Sequence, residues 1–318
     1  MSIQTTASIN TGTGSVATKP QAFYNKLLLK TLRARSFEHE KYAQARPMPK
    51  NYGDTTNFRM TGVLAPALTP LDEGVTPTGN SATITAISAT TQQYGDFIEF
   101  SDRVNFQMVD PIIAEYTKEQ GVQAAETKDT LVRDEIHGGS NVFYEGGKTD
   151  RATLAAGDKP TVDTFRKGAL TLKKNHVKKI NGKYIAFISP DVTFDLLDDP
   201  KFLKAYEIGQ QNKPFIDGEI ADVYGIKFIE VENPKIFAGA GAAGVNVHSS
   251  VMFGEEAYGV TKISGEGDVQ VIIKALGSAG TTDPLNQRQT IGWKINAFVA
   301  KRLKEQAIVR LECVPTNA

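Results

Sequence analysis

"GDTTNFRMTG" at 53–62, "APALTPLDEGVTPTGN" at 65–80 and "ATITAISATTQQYGDFIEFSD" at 82–102 make one unusual stretch. Its flanks are Thr-rich, β-branched and partly alternating, the composition of strands. Its centre carries Pro66, Pro70, Gly74, Pro77 and Gly79, which interrupt ladders and build turns. The spacing predicts a long two-armed ribbon with a wide tip. A two-stranded ribbon is marginally stable in water and leaves unpaired edges, so it needs a third element to lie against. The chain's own core is one candidate and a neighbouring subunit is the other.

The chain around this ribbon has 318 residues and is 40% hydrophobic, enough to bury a core in one large domain or two ordinary ones. Lys plus Arg and Asp plus Glu both total 36, so net charge draws the protein neither to nucleic acid nor to a membrane. The single cysteine, Cys313, excludes an internal disulfide and any Cys-based zinc knuckle, which fits a reducing compartment. The opening "MSIQTTASINTGTGSVATKP" lacks the basic start and apolar run of a secretion signal, and no later stretch approaches the ~20 apolar residues of a membrane span. The expectation is a soluble protein made in the cytosol.

Before the ribbon, residues 1–20 are too polar to offset their own ordering entropy and are expected to form a mobile arm. From Gln21 to Gln44, Phe23, Leu27, Leu28 and Leu32 recur at helical spacing, and "RPMP" at 46–49 stops the run. After the ribbon, Asp110 and Pro111 open a helix that Gly138 closes, with Ile113, Tyr116, Ala124 and Leu131 on one side. That helix is long enough, roughly 40 Å, to act as a spine.

Residues 139–160 read as a hairpin and loop. "TVDTFRKGALTLKKNHVKKI" at 161–180 reads as a second amphipathic helix, with Val162, Phe165, Ala169, Leu172 and Ile180 inward. Arg166, Lys167, Lys173, Lys174, Lys178 and Lys179 then face outward, a solvated face that also suits phosphate contact. From about 184 to 262, strand and helix alternate as a compact α/β unit, and the tail is mostly strand: "VQVIIKAL", "QTIGWKIN" and "AIVRLECV".

Catalytic and cofactor motifs are weak. "GAGAAG" at 239–244 matches the phosphate-cradling G-x-G-x-x-G turn, but "VNVHSSVMF" follows where a helix N-terminus is required, so a Gly/Ala loop is expected. "EGGKT" at 145–149 has Val142 where a phosphate-binding loop needs glycine. His39, His137, His176 and His248 are dispersed without metal-ligand spacing, and Asp195, Asp198 and Asp199 sit where helix ends and turns place them. No catalytic, cofactor-binding or metal residue is expected.

The order of parts, an arm, a helix, a ribbon, a spine helix, a second helix, an α/β unit and returning strands, resembles the Hong Kong-type major capsid fold of tailed bacteriophages, shared with encapsulin nanocompartments. "PLDEGVTP" at 70–77, "QYGDFIEFSD" at 93–102, "DPIIAEY" at 110–116, "SPDVTFDLLDDPKF" at 189–202, "GEIADVYGIKFIEVENP" at 218–234, "MFGEEAYG" at 252–259 and "DPLNQRQTIGWK" at 283–294 sharpen it. Together they resemble the major capsid family of the enterobacterial podovirus with a virion-borne RNA polymerase.

The resemblance implies an α+β fold divided into an N-terminal arm (1–20), an N-terminal helix (21–50) and an extended loop over the adjacent subunit (51–105). A peripheral domain with the spine helix (106–183), an axial domain (184–262) and returning peripheral strands (263–318) complete it. It makes Arg59, Asp72, Glu73, Asp283, Arg288 and Trp293 candidates for intersubunit contact, with Trp293 also placed to pack on the spine helix. The implied protein is a non-enzymatic shell subunit forming hexamers and pentamers of an icosahedral capsid, assembled in the bacterial host cytoplasm. Its implied partners are copies of itself, a portal, scaffolding or decoration proteins, and packaged double-stranded DNA held non-specifically, with no membrane involved. An encapsulin-like shell and a nucleotide-dependent enzyme using "GAGAAG" are the alternatives.

Overall fold

The structure is a computed structural model that describes residues 38–49, 51, 53–62, 64–71, 73–76, 78–107, 112–209, 219–263, 269–278 and 280–317. The expected arm (1–20), most of the expected N-terminal helix, the cap at Asp110 and the candidate Asp72 lie outside the described residues.

Two sheets organise the molecule. The strands β1 (Gln44–Met48), β4 (Gln92–Ser101), β11 (Tyr258–Ile263), β12 (Gln270–Lys274) and β13 (Arg288–Arg302) form one. The 15-residue β13 is its axis. It pairs antiparallel with β4 along one edge, and with β11 and then β12 along the other. Its buried positions alternate along much of its length, the period-2 pattern of a strand covered on one face.

The second sheet has seven strands, in the order β5 (Val142–Tyr144), β14 (Ile308–Cys313), β10 (Val247–Phe253), β6 (Tyr184–Ile188), β8 (Ile226–Glu230) and β7 (Glu219–Val223), with β9 (Lys235–Phe237) also on β10. Every residue of β6 and β10 is buried, as expected of strands covered on both faces. Helices α3 (Val162–Lys174), α4 (Pro190–Leu197) and α5 (Pro200–Gly209) cover one face, where Phe165, Leu172, Val192 and Phe202 meet Tyr184, Ala186, Phe228 and Leu311. Ser189 caps α4, its Oγ accepting from the Val192 amide at 3.3 Å, with Pro190 in the first turn.

The other face of that sheet meets the 26-residue helix α2 (Ile112–His137), which follows the short α1 (Asp102–Gln107). Ile185, Phe187, Val251 and Phe253 of the seven-stranded sheet, Ala124, Val132 and Ile136 of α2, and Trp293, Ile295 and Phe298 of β13 share one core. The predicted spine helix therefore joins the two sheets.

Several expectations change. Residues 38–43 form turns and Gln44–Met48 a strand, where the end of a helix was expected. Tertiary bonds take over this backbone: the His39 amide donates to Asp129 Oδ1 at 3.1 Å, and Tyr258 Oη donates to the His39 carbonyl at 2.6 Å. Residues 139–160 hold no hairpin, because β5 pairs in parallel with β14 instead. The helix at 162 stops at Lys174, before His176 and Asn181, both at positive φ. Sheet membership does not follow the expected divisions at 183/184 and 262/263. The α3 helix packs on the seven-stranded sheet, β11 belongs to the five-stranded one, and β14, expected among the peripheral strands, lies inside the seven-stranded sheet.

Candidate functional site

The ribbon is narrower than its sequence suggested. Strands β2 (Thr55–Thr61) and β3 (Ile84–Thr90) pair antiparallel, from Thr55 opposite Thr90 to Thr61 opposite Ile84, and form a sheet of their own. The rest of the expected outer arm, β4, turns away after Thr91 to pair with β13. The extended loop expected over 51–105 is thus a projecting hairpin followed by a strand of the body.

One apolar anchor holds the hairpin's root. Phe58 is buried against Ala89 and Leu303, with Ile87 and Val299 beside them. Gly259 leaves its ring room, since a Cβ there would lie 2.6 Å from Phe58 Cε1. The Thr91 amide donates to the Asp54 carbonyl at 2.8 Å and closes the base. Beyond the anchor, Leu64, Leu68, Leu71, Val75 and Ile84 are exposed, Leu68 by 85%. Burying each large apolar side chain is worth about 1.5–3 kcal/mol, which this chain does not collect from its own described residues.

A second exposed apolar region lies on β12, whose sequence shows only a strand. Val271, Ile272 and Ile273 are all exposed, and Phe97 of β4 is exposed two strands away. Ile272, Gly292 and Phe97 stand in register across β12, β13 and β4. Between them a groove of about 440 Å³ opens, floored by Gly95 and Gly292. The signal was legible as three successive apolar residues in a strand too short and too near the edge to bury them.

Among the intersubunit candidates, Arg59 is exposed near the hairpin's root and Glu73 at its tip. The other described ones are engaged within the chain. Trp293 is 4% exposed, with its ring packed in the core shared with α2. Asp283 is buried because its Oδ2 accepts the Arg288 amide at 2.7 Å and shapes the loop before β13. Arg288 already faces Glu99 of its own chain, Nη1 to Oε1 at 3.5 Å.

Arg166, Lys167, Lys173 and Lys174 lie exposed on α3, whereas Lys178 and Lys179 are exposed on the loop after it, so the basic stretch is not one helix face. Arg166 bonds Asp163 at 3.1 Å and stacks 4.7 Å from the Tyr224 ring centroid. Hydrogen bonding from Lys201, and then from Arg166, holds the Asp163 carboxyl below its usual range.

The polar pairs that resemble catalytic machinery are structural. His248 Nδ1 lies 2.9 Å from Ser189 Oγ, His137 Nδ1 lies 2.8 Å from Ser249 Oγ, and His39 Nδ1 lies 2.9 Å from Asp129 Oδ2. All six residues are buried and bond one another within the core. The Gly-rich loop at 239–244 contains a 3-10 turn, Ala242–Gly244, and leads into β10, so a strand follows it where the phosphate-cradling turn needs a helix N-terminus. Among the described residues no His, Cys, Asp or Glu group is arranged to hold a metal ion, and no helix is long and apolar enough to cross a membrane.

The fold is similar to that of solved shells. The capsid of Ralstonia phage GP4 superposes with a TM-score of 0.74 at 13% identity, over 93% of this chain and 96% of that one. The capsid of cyanophage P-SCSP1u gives 0.71 at 16% identity, over 96% of both chains. The SrpI encapsulin of Synechococcus elongatus PCC 7942 gives 0.57 at 10% identity, over 100% of this chain and 98% of that one. Among curated protein sequences none matches this chain. The family described as phage capsid protein matches residues 84–311, from the hairpin's second strand through both sheets to β14. A projecting hairpin with an apolar tip, a spine helix joining two sheets and this match agree, and the chain belongs to the phage capsid protein family.

Proposed function

We propose that this capsid protein is the repeating subunit of a tailed-phage icosahedral shell, in which hexamers and pentamers enclose double-stranded DNA. The observation that carries the reading is the hairpin 55–90, held at its root by the small cluster around Phe58 and exposing Leu64, Leu68, Leu71 and Val75 beyond it. Laid over an adjacent copy, such a hairpin gains apolar contacts that recur at every symmetry-related interface. The seven-stranded sheet with its helices would be the axial part, and the five-stranded sheet with α2 the peripheral part. The nearer kinship proposed is with the enterobacterial podovirus family whose motifs the sequence resembles.

Assembly would take place in the bacterial host cytoplasm, with a portal and scaffolding or decoration proteins as partners. Arg166, Lys167, Lys173, Lys174, Lys178 and Lys179 would contact packaged duplex through phosphate alone, a sequence-independent and salt-sensitive attraction. No catalytic or cofactor role is part of the reading. Electron microscopy of the purified protein tests it: capsomers or closed shells are expected, and a compact monomer at every concentration rejects it. The encapsulin-like fold keeps a nanocompartment as the second reading. Shells containing protein cargo and no DNA would favour it.

A further inference from the structure

Where the hairpin joins the body, β1, β2 and the turn after β13 enclose a recess of about 330 Å³. Arg46, Arg59 and Lys304 line it over a floor that includes Phe58 and Leu303. Its one acid, Glu256, is taken by Lys304, Nζ to Oε2 at 2.8 Å, and that hydrogen bond holds the Glu256 carboxyl below its usual range. Arg46 and Arg59 are exposed, and neither has an acid within ion-pair distance among the described residues, though the charge of Arg46 adds to that of Lys304 in holding Glu256 ionised. Arg46 lies 5.9 Å from the Phe58 ring centroid. Two guanidinium groups lining one recess form a receptor for a carboxylate, because the planar fork binds carboxylate in paired hydrogen bonds.

The hairpin supplies the complementary chemistry at its other end. Glu73 is exposed at the tip, and the sequence places Asp72 next to it among Leu68, Leu71 and Val75. An extended chain advances about 3.3 Å per residue, so the span 59–73 reaches on the order of 45 Å. The 26-residue α2 is about 39 Å long. Fully extended, a span of that length is long enough to cross a neighbouring copy's α2 and arrive at that neighbour's hairpin root.

We propose that Glu73 of one subunit docks into the Arg46–Arg59 recess of the next, so that tip-to-root contacts link the copies of a ring head to tail. Such a contact joins two different patches, the heterologous type that closes into rings. The inference rests on the shell reading above and specifies which ends meet.

The test pairs charge reversal with a crosslink in the full-length chain. Arg46→Glu with Arg59→Glu is expected to lower shell yield at least tenfold while leaving the far-ultraviolet spectrum of the subunit unchanged. Adding Glu73→Arg to that variant is expected to restore assembly in part. In a separate Arg59→Cys, Glu73→Cys variant, oxidised shells are expected to give a ladder of disulfide-linked oligomers. Cys313 is buried and provides a silent background.

If wild-type shells form but no ladder appears, the tip-to-root contact is wrong and the shell reading stands. The same conclusion follows if the arginine variant assembles normally, or if it fails but Glu73→Arg gives no rescue and no ladder forms, since the arginines then serve another acidic partner. If the wild-type chain forms neither capsomers nor shells, both readings fall.

Discussion

The indole Nε1 of Trp293 donates a 2.8 Å hydrogen bond to Oε1 of Gln123, and Nε2 of the same glutamine donates at 2.8 Å to Asp96 Oδ2. One helix side chain thus ties together two paired strands, since Trp293 and Asp96 stand opposite each other across β13 and β4. Gln120, one turn earlier, donates to the Ile291 carbonyl at 2.7 Å. The spine helix is therefore fastened to the sheet by polar as well as apolar contacts.

Trp293→Ala should destabilise the subunit by about 3–5 kcal/mol, the usual cost of emptying a large buried aromatic site. Gln123→Leu should cost about 1–3 kcal/mol by leaving the indole N–H without its partner. Urea unfolding of unassembled subunits, followed by Trp293 fluorescence for the glutamine variant and by circular dichroism for both, checks the two values. Equal, near-zero losses would contradict the fastening.

Phe58→Ala should free the hairpin without unfolding the body. The ring is the hairpin's main apolar link to Leu303 and Val299, whereas the body's cores are built from other residues. Amide exchange over 55–61 and 84–90 is expected to quicken well beyond that of β6 and β10. Uniform acceleration throughout the chain would show that the hairpin is integral to the core.

Glycines at the β4–β13 seam permit close pairing. A Cβ on Gly95 would lie 2.7 Å from the Trp293 carbonyl oxygen, and one on Gly292 would lie 2.8 Å from Phe97 Cβ. Gly95→Val is predicted to cost about 1–3 kcal/mol through forced backbone movement. Thermal unfolding reads this directly, and an unchanged midpoint would mean that the seam can open without penalty.

Acid should weaken the fold through His137. Burial first, and then the positive charges of His39, Arg310, Arg133 and Lys235, hold its protonation well below the ordinary 6.5. The unfolded chain takes up a proton below that pH while the folded one does not. This contribution is complete above about pH 6.5 and is lost as pH falls from there toward the depressed value. Burial also lowers His248, opposed by Asp191, and adds to the effect. Urea midpoints measured between pH 7.5 and pH 5 are expected to fall, with a shallower slope in His137→Gln. Identical slopes would assign the acid sensitivity elsewhere.

Glu312 should be indispensable to the sheet around it. Its side chain is fully buried, with Arg151 Nε and Arg310 Nε at 2.7 and 2.8 Å. The hydrogen bonds from Arg151 raise that guanidinium's own affinity for its proton. Removing one partner of a buried pair leaves charge uncompensated, so Glu312→Ala should cost about 3–5 kcal/mol. Soluble expression and the melting temperature report the loss. A Glu312→Ala subunit as stable as wild type would show that water already screens both arginines.

Local patterns in the sequence determined the elements with strong periodicity: the spine helix with its stop at Gly138, the buried run "YIAFI", the Pro-started helices after Ser189 and the hairpin's turn-rich tip. Such signals need only neighbours along the chain. The resemblance in ordered motifs also led to the capsid fold before any pairing was known. Tertiary structure alone decided which strands share a sheet, because the period of a strand tells which face is buried and not who its partner is. It sent β4 into the body, placed β14 beside β10, and turned 38–44 from the end of a helix into turns and the start of a strand through Asp129 and Tyr258. It also decided the candidate residues, burying Trp293 and Asp283 and leaving Arg59 and Glu73 outside, since exposure depends on what folds over a residue from far along the chain.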